Sequence, residues 1–419
     1  MTLLDTFKSH YMLDAVTSPE LEKALEKPIT VYAGFDPSAD SLQAGNYVTI
    51  MALARFQRAG HRVIALVGGG TGMIGDPSGK SVERKMLTVE QVSHNVECIK
   101  EQLSRFIRFD GENAALLVNN YDWYKDVSAI SFLRDICVNF RVPQMLAKES
   151  VKKRLEATDG GMTFTEFSYQ ILQGNDFLHL YDTYGCTLEI GGSDQWGNIT
   201  AGTDLVHRMR GREVFGLTFP LVCDSNGLKF GKSEGNAIFL DSKKTSCYDF
   251  YQFFLRSMDA DVIRYLKIFT FLPDERIAEL EEQVKVAPEK REAQRVLAEE
   301  VTRAVHGEEG LRQAQRATDA LFGGSIEGIP ADELATIFKN VPSATMVRAD
   351  IVGKPVFEIA AAAGMLKSKS EARRLVQQGG LSLNGEKVAA DRLFSEEDLV
   401  DGKVALLRAG KKNYFLLNC

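Results

Sequence analysis

Two unbroken apolar runs, residues 29–35 and 62–69, flank a segment, Asn46–His61, whose apolar residues recur at helical spacing. A strand that is apolar at every position must be covered on both faces, and two such strands joined by one helix read as a β-α-β unit. The pattern continues with a helix over 89–107, a strand over 114–119, a helix over 129–140, a strand over 188–191 and a helix over 199–209. This alternation predicts an α/β fold with a doubly wound parallel sheet, whose ligands collect at the carboxyl ends of the strands.

At 419 residues the chain exceeds one ordinary core. From about Tyr248 the texture changes to charged amphipathic stretches, and Ala287–His306 reads as one helix with an exposed polar face. Residues 323–350, interrupted by Gly-Gly and Gly-Ile-Pro, read as a linker. A lysine-rich turn and helix over 367–376 then precedes short strands around 381–388 and 403–417, with Asn384-Gly385 as a tight turn. The expected divisions are 1–225 for the sheet domain, 226–245 for a loop and linker, 246–322 for an α-helical domain, 323–350 for a linker and 351–419 for a small α+β domain.

Composition narrows the function. No run of about 18 apolar residues is present to span a membrane. Met1-Thr2-Leu3-Leu4-Asp5 lacks the basic and then apolar profile of a signal peptide, so a cytoplasmic location is expected. The six cysteines (98, 137, 186, 223, 247, 419) form no CxxC pair, which excludes a zinc knuckle or a dithiol redox motif. A net charge of -7 excludes a protein that coats nucleic acid over its whole surface. Residues 351–419 nevertheless carry 11 Lys+Arg against 8 Asp+Glu, which makes the tail the place where an RNA would touch.

Several motifs bear on nucleotides. Gly70-Thr-Gly72-Met-Ile-Gly75 has the spacing of a dinucleotide fingerprint, but Asp76-Pro77-Ser78-Gly79 interrupts the helix that should open within it. Gly79-Lys80-Ser81 ends like a Walker A loop, yet Ile74 occupies the position of its first glycine. Lys229-Phe230-Gly231-Lys232-Ser233 sets two lysines at i, i+3 across a glycine, so that two ammonium groups can reach one polyphosphate. That loop resembles the KMSKS signature of class I aminoacyl-tRNA synthetases, and Ser41-Leu42-Gln43-Ala44-Gly45-Asn46 lies where that class carries its HIGH signature, with Gln43 and Asn46 in the two histidine places.

Four further strings extend the likeness: Tyr32-Ala-Gly-Phe-Asp-Pro-Ser38, Asn119-Asn-Tyr-Asp-Trp123, Phe164-Thr-Glu-Phe-Ser-Tyr169 leading to Gln173 and Asp176, and Gly191-Gly-Ser-Asp-Gln-Trp-Gly-Asn198. In that order and spacing they resemble the bacterial tyrosyl-tRNA synthetases over essentially the full chain, with a tail similar to an RNA-binding module of the S-four type. The resemblance implies a Rossmann-like catalytic domain, activation of L-tyrosine by ATP with magnesium, transfer to tRNA(Tyr), no tightly bound cofactor or structural metal, and a homodimer formed through Phe132–Lys148 and Phe164.

The resemblance also implies roles for individual residues. Tyr32 and Asp176 would bind the phenol hydroxyl, Asp76, Tyr169 and Gln173 the α-ammonium, and Asn120 and Gln195 the remainder of the tyrosine site. Gly34, Asp36, Ser38, Gly45, Gly191, Gly192, Asp194 and Lys232 would line the ATP side. Gln43, Asn46, Lys80, Arg84, Lys229, Lys232 and Ser233 would act on the phosphates. Lys367, Lys369, Arg373, Arg374, Lys411 and Lys412 would meet tRNA phosphates. Glu189 adds a negative charge near this site, either weakening binding or needing a cation as partner. Two other functions stay open at this point: a tryptophan–tRNA ligase, and an RNA-binding synthetase paralogue with weakened catalysis.

Overall fold

The computed structural model describes residues 2–78, 87–156, 162–233, 236–321, 324–339, 341–410 and 413–419. The chain divides into two compact units, Met1–Ser246 with Phe253–Val305, and Cys247–Gln252 with His306–Cys419. The first contains a six-stranded sheet built from β1 (Ala15–Val16), β2 (Thr30–Phe35), β3 (Arg62–Val67), β4 (Leu116–Asn119), β5 (Cys186–Gly192) and β6 (Phe215–Phe219). The order is β1-β6-β5-β2-β3-β4. All neighbours are parallel except β1, which runs antiparallel on the edge beside β6.

The strand order turns at β2, with β3 and β4 on one side and β5 and β6 on the other. The crevice at the carboxyl ends of β2 and β5 is therefore the topological switch point where such sheets bind ligands. Helix α1 (Tyr47–Arg58) follows β2, α2 (Val89–Leu103) precedes β4, α3 (Phe164–Tyr184) precedes β5, and α4 (Trp196–Arg210) joins β5 to β6. The 21-residue α3 starts at a capping box, in which Thr163 and Glu166 satisfy each other's free backbone N–H groups, and stops where Gly185 turns left-handed. Its Phe177, Leu178 and Leu180 pack with Leu205 and Val206 of α4 on Tyr32, Ile64, Leu66 and Cys186 of the sheet.

The second unit has a five-stranded sheet from β7 (Ser343–Thr345), β8 (Leu381–Leu383), β9 (Glu386–Lys387), β10 (Val404–Ala409) and β11 (Asn413–Asn418), in the order β9-β8-β10-β11-β7. Asn384 and Gly385 both have positive φ in the β8–β9 turn, as their sequence requires. Alternate residues of β10 and β11 serve two cores. Ala405, Leu407, Phe415 and Leu417 pack with Ile359, Ala372 and Val376 of helices α6 (Val356–Ala362) and α7 (Lys369–Gln377). Val404, Leu406, Tyr414 and Leu416 pack with Ile329, Leu334 and Phe338 on and beside helix α5 (Ala331–Ile337).

This second core revises the expected divisions. A sheet apolar on both faces needs two covering layers, and residues 323–350, read above as a linker, supply one of them together with strand β7. The helix expected over Ala287–His306 begins at Glu292, after Arg291 adopts a left-handed conformation, and runs to Leu321 with a non-helical Gly307. The boundary between the units falls beside that break. Among the described residues no helix is long and apolar enough to cross a membrane.

Candidate active site

Tyr169, Gln173 and Asp176 occupy positions i, i+4 and i+7 of α3 and so share one face of that helix. They look onto a cleft of about 380 Å³ at the switch point. Tyr32, Gly34, Asp36, Ser38, Gln43, Gly45, Asn46, Asp76, Gly191, Gly192, Asp194 and Gln195 line the same cleft. Residues spread over more than 160 positions thus line one cleft. Asn120 stands behind this wall, fully buried.

The deep end of the cleft is organised by the carboxyl group of Asp176, which is 2% exposed. Asn120 Nδ2 donates to its Oδ2 at 2.9 Å and Trp123 Nε1 to its Oδ1 at 2.9 Å. The Tyr124 hydroxyl also lies 2.8 Å from Oδ1. Burial pushes the acid up to about 7, and these three donors hold it down from a higher value. Asn120 Oδ1 in turn accepts from the backbone N–H of Gly70 at 2.7 Å, which fixes the amide orientation. From Asn120 the bonds pass through Thr71 to Asp36 (2.9 and 3.0 Å), and the Tyr169 hydroxyl donates to Asp36 at 2.9 Å. Tyr169 therefore keeps a lone pair available as an acceptor.

A second chain of amides runs along the opposite wall. Gln173 Nε2 donates to Glu189 at 2.9 Å, and Asn198 Nδ2 donates to both Gln173 Oε1 (3.0 Å) and Gln195 Oε1 (3.2 Å). Gln195 Nε2 donates to Asp76 Oδ2 at 2.7 Å, while Asp76 Oδ1 accepts from the Ser78 backbone at 2.9 Å. The cation given as one of two alternatives for Glu189 is not found beside it among the described residues. The polar neighbours of Glu189 are Gln173, Tyr32 and Asp176, and burial raises its carboxyl to about 8. Thr71, Trp123, Tyr124 and Asn198 join these networks without having been assigned roles from sequence; the only signal for them was their position within strings that follow a strand.

At the open end the two signature loops meet. Gln43 forms an antiparallel bridge with Phe239, Ala44 N–H donates to Ile238 O, and Ile238 N–H donates to Gly231 O. Gly231 has φ +89°, and a Cβ there would sit 2.9 Å from the Gly45 nitrogen, so both its conformation and its closeness require glycine. The preceding Phe230 is stacked on Phe269 and meets Phe253, Phe254 and Tyr265 edge-on or tilted, which anchors the loop to the unit. Asn46 Oδ1 accepts from the Gln43 N–H at 3.0 Å, leaving its amide N–H groups as donors.

Lys229 is exposed and its charge acts on Asp194, whose carboxyl is raised by burial and by Asp76. Lys232 and Ser233 are placed by their backbone, paired with Ala237 and Asn236. Lys80 and Arg84 lie outside the described residues, as do Lys411 and Lys412 of the tail. Lys367, Lys369, Arg373 and Arg374 are exposed on α7 and the turn before it. Lys369 is paired with Glu358 at 2.7 Å, an exposed contact that costs little to exchange.

Asn198 donates to the side-chain oxygens of both Gln173 and Gln195, and so fixes their amides together with Glu189 and Asp76. With tyrosine, the ligand that the sequence resemblance implies, Asn198→Ala is expected to weaken binding about tenfold, the loss of roughly one such bond, while the protein stays folded. Equilibrium dialysis with tyrosine, alongside a thermal melt, checks this.

Comparison with known proteins covers both units. Residues 23–323 match the family model for class I tRNA synthetases (W and Y), and residues 333–417 match that for the tyrosine–tRNA ligase SYY-like C-terminal domain. The chain is 50% identical over 403 residues to the tyrosine–tRNA ligase of Laribacter hongkongensis, covering 96% of this chain and 94% of that one. It is 49% identical over 422 residues to the tyrosine–tRNA ligase of Geobacillus stearothermophilus, covering 100% and 99%. Among solved structures it is similar to the C-terminally truncated mitochondrial tyrosyl-tRNA synthetase of Aspergillus nidulans, with a TM-score of 0.69 and 30% identity over 77% of this chain and 94% of that one. The tyrosyl-tRNA synthetase of Archaeoglobus fulgidus, at 15% identity and a TM-score of 0.56 over 74% of this chain and 99% of that one, shares the fold. The chain belongs to the class I tyrosyl-tRNA synthetases of the bacterial type.

Proposed function

We propose a division of labour within the cleft for the reaction of this family, in which tyrosine is activated by ATP and then transferred to tRNA(Tyr). The phenol hydroxyl enters the deep end, donating to Asp176 and accepting from Tyr32. The α-ammonium meets three acceptors, Asp76, the Tyr169 oxygen and Gln173 Oε1. The observation that carries this reading is the arrangement of Asp176, a buried carboxyl supplied with donors on both oxygens beside an unpaired Tyr32 hydroxyl. Such an end suits a hydroxyl that can both give and take a hydrogen bond. An indole N–H, which only donates, could meet Asp176 but would itself offer the Tyr32 hydroxyl nothing to donate to.

ATP, as its magnesium complex, would lie toward Gly34, Asp36, Ser38, Gly191, Gly192 and Asp194. The tyrosine carboxylate attacks the α-phosphorus and pyrophosphate leaves. The terminal ribose hydroxyl of the tRNA then attacks the acyl carbon and AMP departs. The protein's part is to position the reactants and to place donors around the phosphoryl oxygens as charge moves onto the leaving group. Gln43 and the free N–H groups of Asn46 supply neutral donors from one loop. Lys229 and Lys232 supply charge from the loop packed against it, with Ser233 adjacent, and Lys80 and Arg84 supply charge from a third segment.

Two further assignments complete the reading. The enzyme works as a homodimer, a view supported by the exposed apolar side chains of Ile130, Leu133, Val138, Val142, Leu146 and Phe164, of which Phe164 is 75% exposed. It works in the cytoplasm, which suits the reduced thiols of Cys98, Cys137, Cys186, Cys223 and Cys419.

Gln43→Ala should lower the burst rate of tyrosyl-adenylate formation about 10²-fold, the usual worth of one preorganised donor, with little change in tyrosine affinity. An unchanged burst rate in rapid-quench experiments would remove Gln43 from the mechanism. Truncation after residue 323, which removes both faces of the second sheet together, should spare tyrosine-dependent pyrophosphate exchange and abolish charging of tRNA(Tyr). Equal loss of both activities would contradict the assignment of tRNA contacts to the tail.

A further inference from the structure

The deep end of the cleft holds a second buried acid for which the roles above have no use. Glu189 stands directly opposite Tyr32 in the β2–β5 register, is 2% exposed, and lines the cleft. Its Oε1 accepts from Gln173. Its Oε2 is buried without a hydrogen-bond partner among the described residues, and so is the Tyr32 hydroxyl. The two groups face each other closely enough for each to shift the other's proton affinity. Its other neighbours are small: the β6 residue in register with Glu189 is Gly216, and on α4 Oε2 faces Gly202, where a Cβ would come within 3.3 Å of it.

Counting protons decides what Glu189 must do. A phenol between Tyr32 and Asp176 has one proton, which goes to the carboxylate, so Tyr32 must give its own proton to the phenol oxygen. An ionised Glu189 accepts only, and would draw that proton to the wrong side. We propose that Glu189 is a positioning and specificity-determining residue that enters the tyrosine complex as a neutral acid, its Oε2–H donating to Tyr32. Glu189 then donates to Tyr32, Tyr32 to the substrate phenol, and the phenol to Asp176. This rests on the placement of the phenol given above and adds the group that sets its polarity.

The surrounding titratable groups agree with one charge shared between two acids. Glu189 faces Tyr32 on β2, Asp176 on α3 and Cys186 on its own strand, while Asp36 acts on Asp176. Asp176, with three donors, ionises first, through about 7, and Glu189, with only Gln173 and Tyr32 to hold it down against burial, keeps its proton to about 8. The sign follows: tyrosine binding is lost as pH rises through the value at which Glu189 ionises.

Tyrosine dissociation constants measured by equilibrium dialysis between pH 6 and 9.5 test this in the full-length protein. The wild type should weaken above about pH 8, approaching tenfold per pH unit. Glu189→Gln, whose amide can donate to Tyr32 and accept from Gln173 at every pH, should bind within about threefold of wild type at pH 7 and lack this alkaline limb. The amino group of free tyrosine titrates equally in both experiments and cancels in the comparison. Glu189→Leu should be weak throughout. Identical alkaline limbs in wild type and Glu189→Gln would overturn the inference, as would a folded Glu189→Gln that binds more than tenfold more weakly at pH 7. Tyr32→Phe separates the two levels: unchanged tyrosine affinity there sinks the placement of the phenol itself, whereas weakened affinity with a persistent limb in Glu189→Gln sinks only the role of Glu189.

Discussion

A carboxyl group buried at Asp176 imposes its needs on much of the catalytic unit. Taking such a group out of water costs several kcal/mol unless donors replace the lost hydration. Here they come from the segment after β4, through Asn120, Trp123 and Tyr124, so that α3 is held against β4 by polar bonds as well as by packing. Asn120 must itself be oriented, which recruits the backbone of Gly70 and the hydroxyl of Thr71, and Thr71 leads to Asp36 at the end of β2. One acid thus ties three strand ends into a single frame around the cleft.

The frame gives the cleft a graded electrostatic character. Its deep end holds two acids in low dielectric, its middle is a run of oriented amides, and its mouth carries the loops with Gln43 and Lys229. A connected chain of side-chain hydrogen bonds runs from Glu189 through Gln173, Asn198 and Gln195 to Asp76. The neutral donors at the mouth fit a site where positive charge arrives on lysines from separate loops instead of residing in a fixed imidazolium.

The parallel strands were legible because their runs are largely apolar, whereas Tyr169, Gln173 and Asp176 were reached only through the family resemblance, the helix that sets them on one face not having been read from the sequence. Sequence reasoning missed β6 and the two-residue β1, which offer five and two residues of pattern. It treated residues 323–350 as connection because α5 and β7 are short and their apolar positions make sense only against the second face of β10 and β11. Trp123, Tyr124 and Asn198 escaped because a side-chain hydrogen bond has no periodicity. Glu189 was visible only as a charge, because the register that sets it against Tyr32 is a property of β2–β5 pairing.

A crystal structure with tyrosine bound tests the central claim most directly, since the frame around Asp176 leaves one place for a phenol. The account predicts the phenol oxygen within about 2.6–3.0 Å of both Tyr32 Oη and Asp176, with the α-ammonium against Asp76, Tyr169 and Gln173. A tyrosine bound in the reverse sense, or one whose hydroxyl meets neither Tyr32 nor Asp176, would contradict it.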